Sequence, residues 1–466
     1  MKERRLMFLP LLLFSISLLA VAAWGAEAPK IDDPKDQRIV DAFLAETLKV
    51  PERITPERCR EFADQEAEEG EAFTWRVMPY LRMPVTAFEL TRDPKYLDIF
   101  VETFDNMRSA MTPGPDGYLG WYGFVGAEYR DPDDPKRRID ALISAFSTAK
   151  TVCDFVALVD SDPALRERYA KQRAEYLDLV KNQLVKKHDV RGDYVDMGEL
   201  GAVYRMPKAG LRPDAGRLTM PHNKHAIIMH GLLALYRVTG KDEYMRKAIK
   251  LGVRYKRSLT LKDGHYEWDY WDPAGAWDIS PLTPNKWKHW IGREHRGGYY
   301  DSSMSQAIEL YQFGLVFDRT DVDRFLRTQL DMCWNGDFDH PQWSRVDGTR
   351  PPEYTQGAYM ASALAPFNDR VAQFLFTGSR QESRLQRAGD DWEGGPVANG
   401  YIRSKLLEYP AMKGGKQIYL EYGKKLLTKK ENQDFVNSLA FEVTGSGYQQ
   451  PLTPPEMKPL PHAPKP

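Results

Sequence analysis

Cysteine is scarce. Among 466 residues there are three, Cys59, Cys153 and Cys333. Thiols so few and so scattered allow one disulfide and leave a thiol over, so a packed core must hold the chain together. No Cys-x-x-Cys pair occurs, which excludes a zinc ribbon and a dithiol redox motif. An excess of either charge is also lacking. With 65 basic and 66 acidic residues, net charge -1, no global field draws in nucleic acid or a membrane surface. An anionic partner must then be met by a local arginine cluster. Alternating strand patterns are few, confined to short pieces around 265–270 and in the last third. The remaining composition, 42% hydrophobic and 28% charged, is that of a folded globular protein. The length permits two or three average domains or a single large α-rich one.

Long hydrophobic runs are lacking except at the start. Lys2, Glu3, Arg4 and Arg5 precede an apolar run from Leu6 to Trp24, with Ala22, Ala23, Ala26 and Ala28 around its end. Residues 1–26 read as a secretory signal peptide cut after Ala23 or Ala26. The mature chain is expected in the periplasm or outside the cell, with no stable membrane insertion. Left uncut, the run is just long enough to act as an anchor. The other end, 431–466, reads as an extension with a Pro-rich tail, seven of its last sixteen residues being proline.

Between them a helical hairpin with a short polar turn recurs. Val85 to Leu90 turns at 91–96 and continues from Leu97 to Met107. Ala226 to Val238 turns at 239–244 and continues from Met245 to Tyr255. Ser147 to Val159 turns at Asp160–Pro163 and continues from Ala164 to Leu184. Asp or Gly ends one helix and starts the next, and proline falls where a first turn tolerates it. The first helix of a pair can be apolar nearly all round, while the second is amphipathic. Inner helices buried on both sides, alternating with outer helices facing water, predict an all-α fold, an (α/α) toroid spanning 35–430. Long Gly- and Trp-rich loops at 113–129, 191–220 and 262–298 predict a binding cleft.

Six of nine histidines and five of eleven tryptophans fall between His222 and His295. His222 and His225 lie three apart at the start of an apolar helix, with Asn223 placed as a cap. His-x-x-His with His230 further on has no carboxylate at fixed spacing, so no metal ligand set is assigned. No cofactor is required, although a structural calcium or zinc ion is compatible with the loops. The second cluster is Arg293, Glu294, His295 and Arg296, followed by Gly297, Gly298, Tyr299 and Tyr300. The glycines let a ligand approach the backbone, and a tyrosine beside arginines has its phenolate favoured. Trp121, Tyr122, Trp268, Trp271, Trp287 and Trp290 are candidate sugar platforms, with Arg296, Glu294 and His295 as further substrate contacts. Arg205, Arg212 and Arg217 read by default as solvated loop charges.

These residue types suit β-elimination on a uronic-acid polysaccharide. The C5 proton is too weakly acidic to remove until the adjacent carboxylate is neutralised, which Asn, His and Arg can do as charge develops. A tyrosinate or neutral histidine removes the proton, and a tyrosine hydroxyl protonates the leaving O4. Asn223, Lys224 and His225 heading a buried helix, with an Arg…Tyr segment some seventy residues on, resemble the toroid polysaccharide lyases, nearest the alginate and glucuronan lyases. The resemblance covers 75–320. It implies Asn223, His225 and Arg293 around the uronate and Tyr299 or Tyr300 as acid and base. In alginate lyases Asn and His are adjacent, whereas Lys224 separates them here, so His222 rivals His225. The expected partner is an anionic polysaccharide, not nucleic acid. The alternatives are a hydrolase of the unsaturated glucuronyl type, drawing carboxylates from Asp269, Asp272, Asp278 and Asp301, or a non-catalytic glycan-binding envelope protein.

Overall fold

Helix starts obey local chemistry. Pro34 opens α1 (Pro34–Thr47) and the Asp33 carboxylate accepts the Lys35 N–H at 2.8 Å. This computed structural model describes residues 28–67, 70–208, 210–283, 285–294, 297–350, 360–388 and 394–441. The expected signal peptide and the Pro-rich tail lie outside the described residues. The chain is 61% helical and 9% strand, an all-α protein.

All three expected hairpins are present. The first joins α2 (Ala72–Thr91) to α3 (Lys95–Ser109). Here Arg92, not glycine or aspartate, takes the left-handed cap at φ 59°. Pro94 bars its predecessor from helical geometry, so the helix has to end there whatever the residue. The second runs from α4 (Leu142–Ser161) through Asp162, whose carboxylate accepts the Ala164 and Leu165 N–H groups. Its second arm is not the single helix expected. It is broken into Pro163–Arg168, α5 (Ala170–Leu179), a wider π turn over Val180–Val185, and Lys186–Val190. The third joins α6 (His222–Thr239) to α7 (Asp242–Ser258) through Gly240 at φ 65°. Further along the chain come α8 (Gly297–Phe313), α9 (Arg319–Arg327) and α10 (Gly394–Ile402).

The first helices of the pairs pack on one another: α2 on α4, α4 on α6, and α6 on α8. Helix α10 packs on α2 and on α1. Helix α4 is apolar and long enough to cross a membrane, yet 89% of its apolar stretch is buried inside the protein, which makes it the central core helix. It meets α6 at unusually short range. A Cβ on Gly231 would lie 2.7 Å from the Phe146 carbonyl oxygen.

The expected loops carry four two-stranded antiparallel ribbons. Thr112–Pro113 pairs with Leu119–Gly120 as β1 and β2, and Tyr122–Phe124 with Arg138–Asp140 as β3 and β4. Tyr194–Asp196 pairs with Ala202–Tyr204 as β5 and β6, and Thr260–Lys262 with His265–Glu267 as β7 and β8. The connections carrying these ribbons run into the N-terminal ends of α4, α6 and α8, while the turns at the C-terminal ends of α2, α4 and α6 are short. One end of the helical assembly is thereby built up into walls.

Gly231→Ala is expected to cost about 1–3 kcal/mol, because backbone rather than a yielding side chain opposes the new methyl. Gly298→Ala, with nothing within 4 Å of the added carbon, should leave the melting temperature unchanged or raise it. Calorimetry of both variants checks the pair, and equal effects would contradict the close approach.

Candidate functional site

Helix α6 starts at Pro221, whose extended backbone (φ -68°, ψ 163°) leads directly into four buried polar residues. Asn223 does not cap the helix, as expected from its position; it sits inside the first turn, and no side chain caps α6. The Lys224 ammonium reaches the Glu71 carboxylate at 2.9 Å, a buried ion pair that ties the head of α6 to the head of α2. The His225 Nε2 accepts the Tyr204 N–H at 2.9 Å, which docks β6 on the helix. His222 places its Nε2 3.2 Å from the Ser258 hydroxyl and its ring 5.0 Å from that of Tyr255. Burial is the main cause that pushes His225 down to about 3 and His222 well below its ordinary value, with Arg254 adding repulsion. Both imidazoles are neutral at neutral pH.

Asn223 differs from its neighbours. It is 3% exposed, its Oδ1 is buried, and its amide meets no hydrogen-bond partner among the described residues. Its position, with Ala226, Ile227 and His230 beyond it at helical spacing, puts it on the face of α6 that lines a central cavity.

The head of α8 lies at the same end. The Gln306 amide donates to the His222 carbonyl at 3.4 Å. A chain of ring contacts runs from His222 through Tyr255 and Trp268 to Tyr300. The two tyrosines part company there. Tyr300 is fully buried, stacked at 5.6 Å on Trp268 with its hydroxyl against the Cys333 thiol. Burial raises its pKa well above 10, the reverse of the expected phenolate. Tyr299 is half-buried, stacked 5.2 Å from Tyr270, which itself lies 5.5 Å from half-buried Trp290.

Other expected substrate contacts change role. Arg293 lies among the carboxylates of Asp269 at 3.1 Å, Glu267 at 3.6 Å and Asp347 at 4.0 Å. Glu294 is completely buried. Trp121, Trp268, Trp271 and Trp287 are core residues, not platforms, because packing covers both ring faces. Trp121 stacks on Phe73 and donates to the Met107 carbonyl, and Trp271 donates to the Thr219 carbonyl. Tyr122 is half-buried, accepting from Arg191 at 2.9 Å, and Trp290 keeps a partly open face. His295 and Arg296 lie outside the described residues. Arg205, Arg212 and Arg217 are held by local partners: Gly192 carbonyl, Asp214 and Asp193. Sequence reading missed Trp75, 47% exposed on the head of α2 with its Nε1 on Glu71.

It also missed the cavity. About 600 Å³ is enclosed by α2, α4, α6, α8 and the segments around 362–366 and 399–412. Its lining is polar at helical spacing: Arg82 and Glu89 on α2, Lys150 and Asp154 on α4, His230 and Arg237 on α6. Lys150 reaches Asp154 at 2.6 Å, and Arg237 pairs with the same carboxylate. Burial acts to raise Asp154, but these two cations overcome it and hold it far below the usual range. Arg403 takes Glu89 at 2.7 Å and Glu408 at 3.2 Å. His230 lies 2.9 Å from the Ser305 hydroxyl, and burial, with Lys150 and Arg82 beside it, lowers it to about 3. Burial raises Glu309 on the facing wall. The signal available in the sequence was a charged stripe with spacings of three, four and seven along helices that are otherwise apolar.

Of the carboxylates considered for hydrolysis, Asp278 caps backbone N–H groups of Thr219, Ala274 and Gly275, and Asp272 pairs with Arg254. Asp301 is different: it accepts the Ser362 N–H at 3.0 Å, lines a second cavity of about 590 Å³, and burial raises it to about 6. Among the described residues no group of three His, Cys, Asp or Glu side chains could hold a metal ion. No family model, curated protein or solved structure matches the chain.

Below the ordinary value of 6.5 the unfolded chain protonates its histidines while folded His225 and His230 stay neutral down to about 3. Each therefore withdraws up to about 1.4 kcal/mol of stability per pH unit as pH falls through that window. Asp301 works the other way, losing stability as pH rises from 3.8 to about 6. These histidines, with His222 held neutral in the same way, should make the melting temperature climb from pH 4 to 6.5. His230→Gln should flatten that climb, and an unchanged slope in the variant would contradict a neutral His230.

Proposed function

We propose that this chain is a polysaccharide lyase that cleaves a uronic-acid polymer by β-elimination. Its helices close into an (α/α) toroid whose walled end is the cleft. Support for the ring is the series of contacts from α2 through α4 and α6 to α8, with α10 back on α2, around a shared cavity. One observation carries the chemistry: the buried Asn223 amide without a partner. Burying an amide unpaired costs about 1–3 kcal/mol, a cost a bound ligand removes. The orphaned atom is Oδ1, an acceptor that a sugar hydroxyl satisfies, while the N–H of the same amide is suited to a uronate carboxylate, where the hydrogen bond strengthens as negative charge spreads from C5.

Tyr299 fills the acid and base role in this reading, since Tyr300 is sealed in the core. Neutral His222 and His225 hold the helix head in place without adding charge beside the carboxylate. Tyr299, Tyr270 and Trp290 form the surface on which a sugar ring can stack. Export to the periplasm or medium, as the leader implies, would bring the enzyme to such a polymer.

A second reading rests on Asp301. A carboxyl group held protonated to about pH 6 beside a cavity is what a glycoside hydrolase needs as its acid.

Incubation with alginate, glucuronan, pectate and glycosaminoglycans, monitored by ultraviolet absorbance, separates these readings. Elimination creates the absorbing C4–C5 double bond, hydrolysis of unsaturated ends removes it, and binding alone leaves it unchanged. For a lyase, Asn223→Ala should lower turnover about 100-fold or more and Tyr299→Phe should abolish most of it. Tyr300→Phe should keep it. Loss of activity in Tyr300→Phe with full activity in Tyr299→Phe would reverse the assignment.

A further inference from the structure

Among the described residues most charges in the central cavity pair off, the exceptions being Arg82 and Glu309, which has only the neutral His230 imidazole at 3.9 Å. Lys150 and Arg237 share Asp154, and Arg403 takes Glu89 and Glu408. Arg82 has only the Ser147 hydroxyl, at 3.1 Å, and no carboxylate within ion-pair distance among the described residues. Its side chain is exposed rather than packed against the wall, and it lines the cavity. Burial opposes its charge and lowers its pKa, with Arg403 adding to the repulsion and Asp154 only partly offsetting it. A guanidinium that lines a cavity without an ion-pair partner is free to take a bidentate anion.

Asn399 on α10, the helix packed on α2, repeats the pattern seen at Asn223. It is 6% exposed, it lines the cavity, and its Oδ1 is buried with no partner. A planar cation and an unsatisfied amide, with the Ser147 and Ser305 hydroxyls and the neutral His230 imidazole, line one part-open cavity. The space lies in the size range of small-molecule sites, about 300–1,000 Å³. Hydroxyls, an amide and an imidazole present both donors and acceptors, which suits sugar hydroxyls, while the guanidinium suits a carboxylate bidentately.

We infer that this cavity is a binding site for a single sugar acid, a uronate unit whose carboxylate is held by Arg82 and whose hydroxyls meet Asn399, Ser147 and His230. The inference rests on the proposed taste for uronic acids but not on elimination. It gives the inner face of α2, and α10 beyond the span of the resemblance, a part in substrate recognition. Asn223 and His230 lie two helical turns apart on one face of α6, so the site continues inward from the proposed catalytic amide.

Calorimetric titration of the full-length protein with sodium glucuronate, glucuronate methyl ester and glucose tests it. Glucuronate should bind, and the two uncharged sugars should bind at least tenfold more weakly. Arg82→Gln and Asn399→Ala should each weaken glucuronate about 10–100-fold, as expected for loss of a charge-assisted or buried hydrogen bond. Should Arg82→Gln melt early, Asn399→Ala carries the test, because its amide holds nothing in the fold. Equal binding of the uncharged sugars, no binding at all, or binding untouched by the Arg82 and Asn399 changes would each overturn the site. Glucuronate binding in a protein that forms no double bond on any polymer would refute the lyase alone. Double-bond formation without glucuronate binding would refute this cavity site alone.

Discussion

The constraint on which this structure depends is that its innermost helices carry charge on the side they cannot turn to water. Helices α2, α4 and α6 are covered by apolar contacts elsewhere, so Glu89, Asp154 and Arg237 must find partners across a shared interior. An unpaired charge there would cost several kcal/mol, and each pair is held between different helices. Lys224 and Glu71 do the same at the built-up end. These pairs set the helices' register about one another and keep open a polar space that apolar side chains would otherwise fill.

The built-up end obeys a second logic. His222, His225, Tyr255, Trp268 and Tyr300 form a dry aromatic layer beneath the ribbons. Desolvation makes its imidazoles neutral and its phenols un-ionised, so the layer contributes rigidity and low dielectric rather than charge. Groups that can act on a ligand stand at its margin: the unpaired amide of Asn223 and half-buried Tyr299. Proposed chemistry and proposed recognition thus occupy the edge of the aromatic layer and the polar cavity beside it.

Much of the helical plan was legible because its signals are local. Gly240 and Asp162 stop or start helices by their own backbone and side-chain chemistry. The apolar stretch at 147–159 could only be core. The break at Tyr169 and the π turn at 180–185 were not legible, since they answer to packing by residues distant in sequence. For the site, the sequence pointed to the heads of α6 and α8, while the packing of individual residues there often differs from expectation. Trp121, Trp268, Trp271 and Trp287 sit in glycine-bearing loops, which reads as exposure, yet those loops fold back and bury them. Arg293 looked available because Asp269 and Asp347, its partners, are 24 and 54 residues away in the numbering of the chain.

By itself the sequence determined which segments are helical, where the chain turns, that few thiols or strands could hold it, and that polar residues cluster near 222–295. Each of these is written in spacing and in side-chain chemistry within one or two turns. Only the tertiary structure decided which polar groups are spent on one another and which are left over. Whether Asn223, Asn399 and Arg82 have partners depends on neighbours brought in from other helices, and no local pattern encodes that.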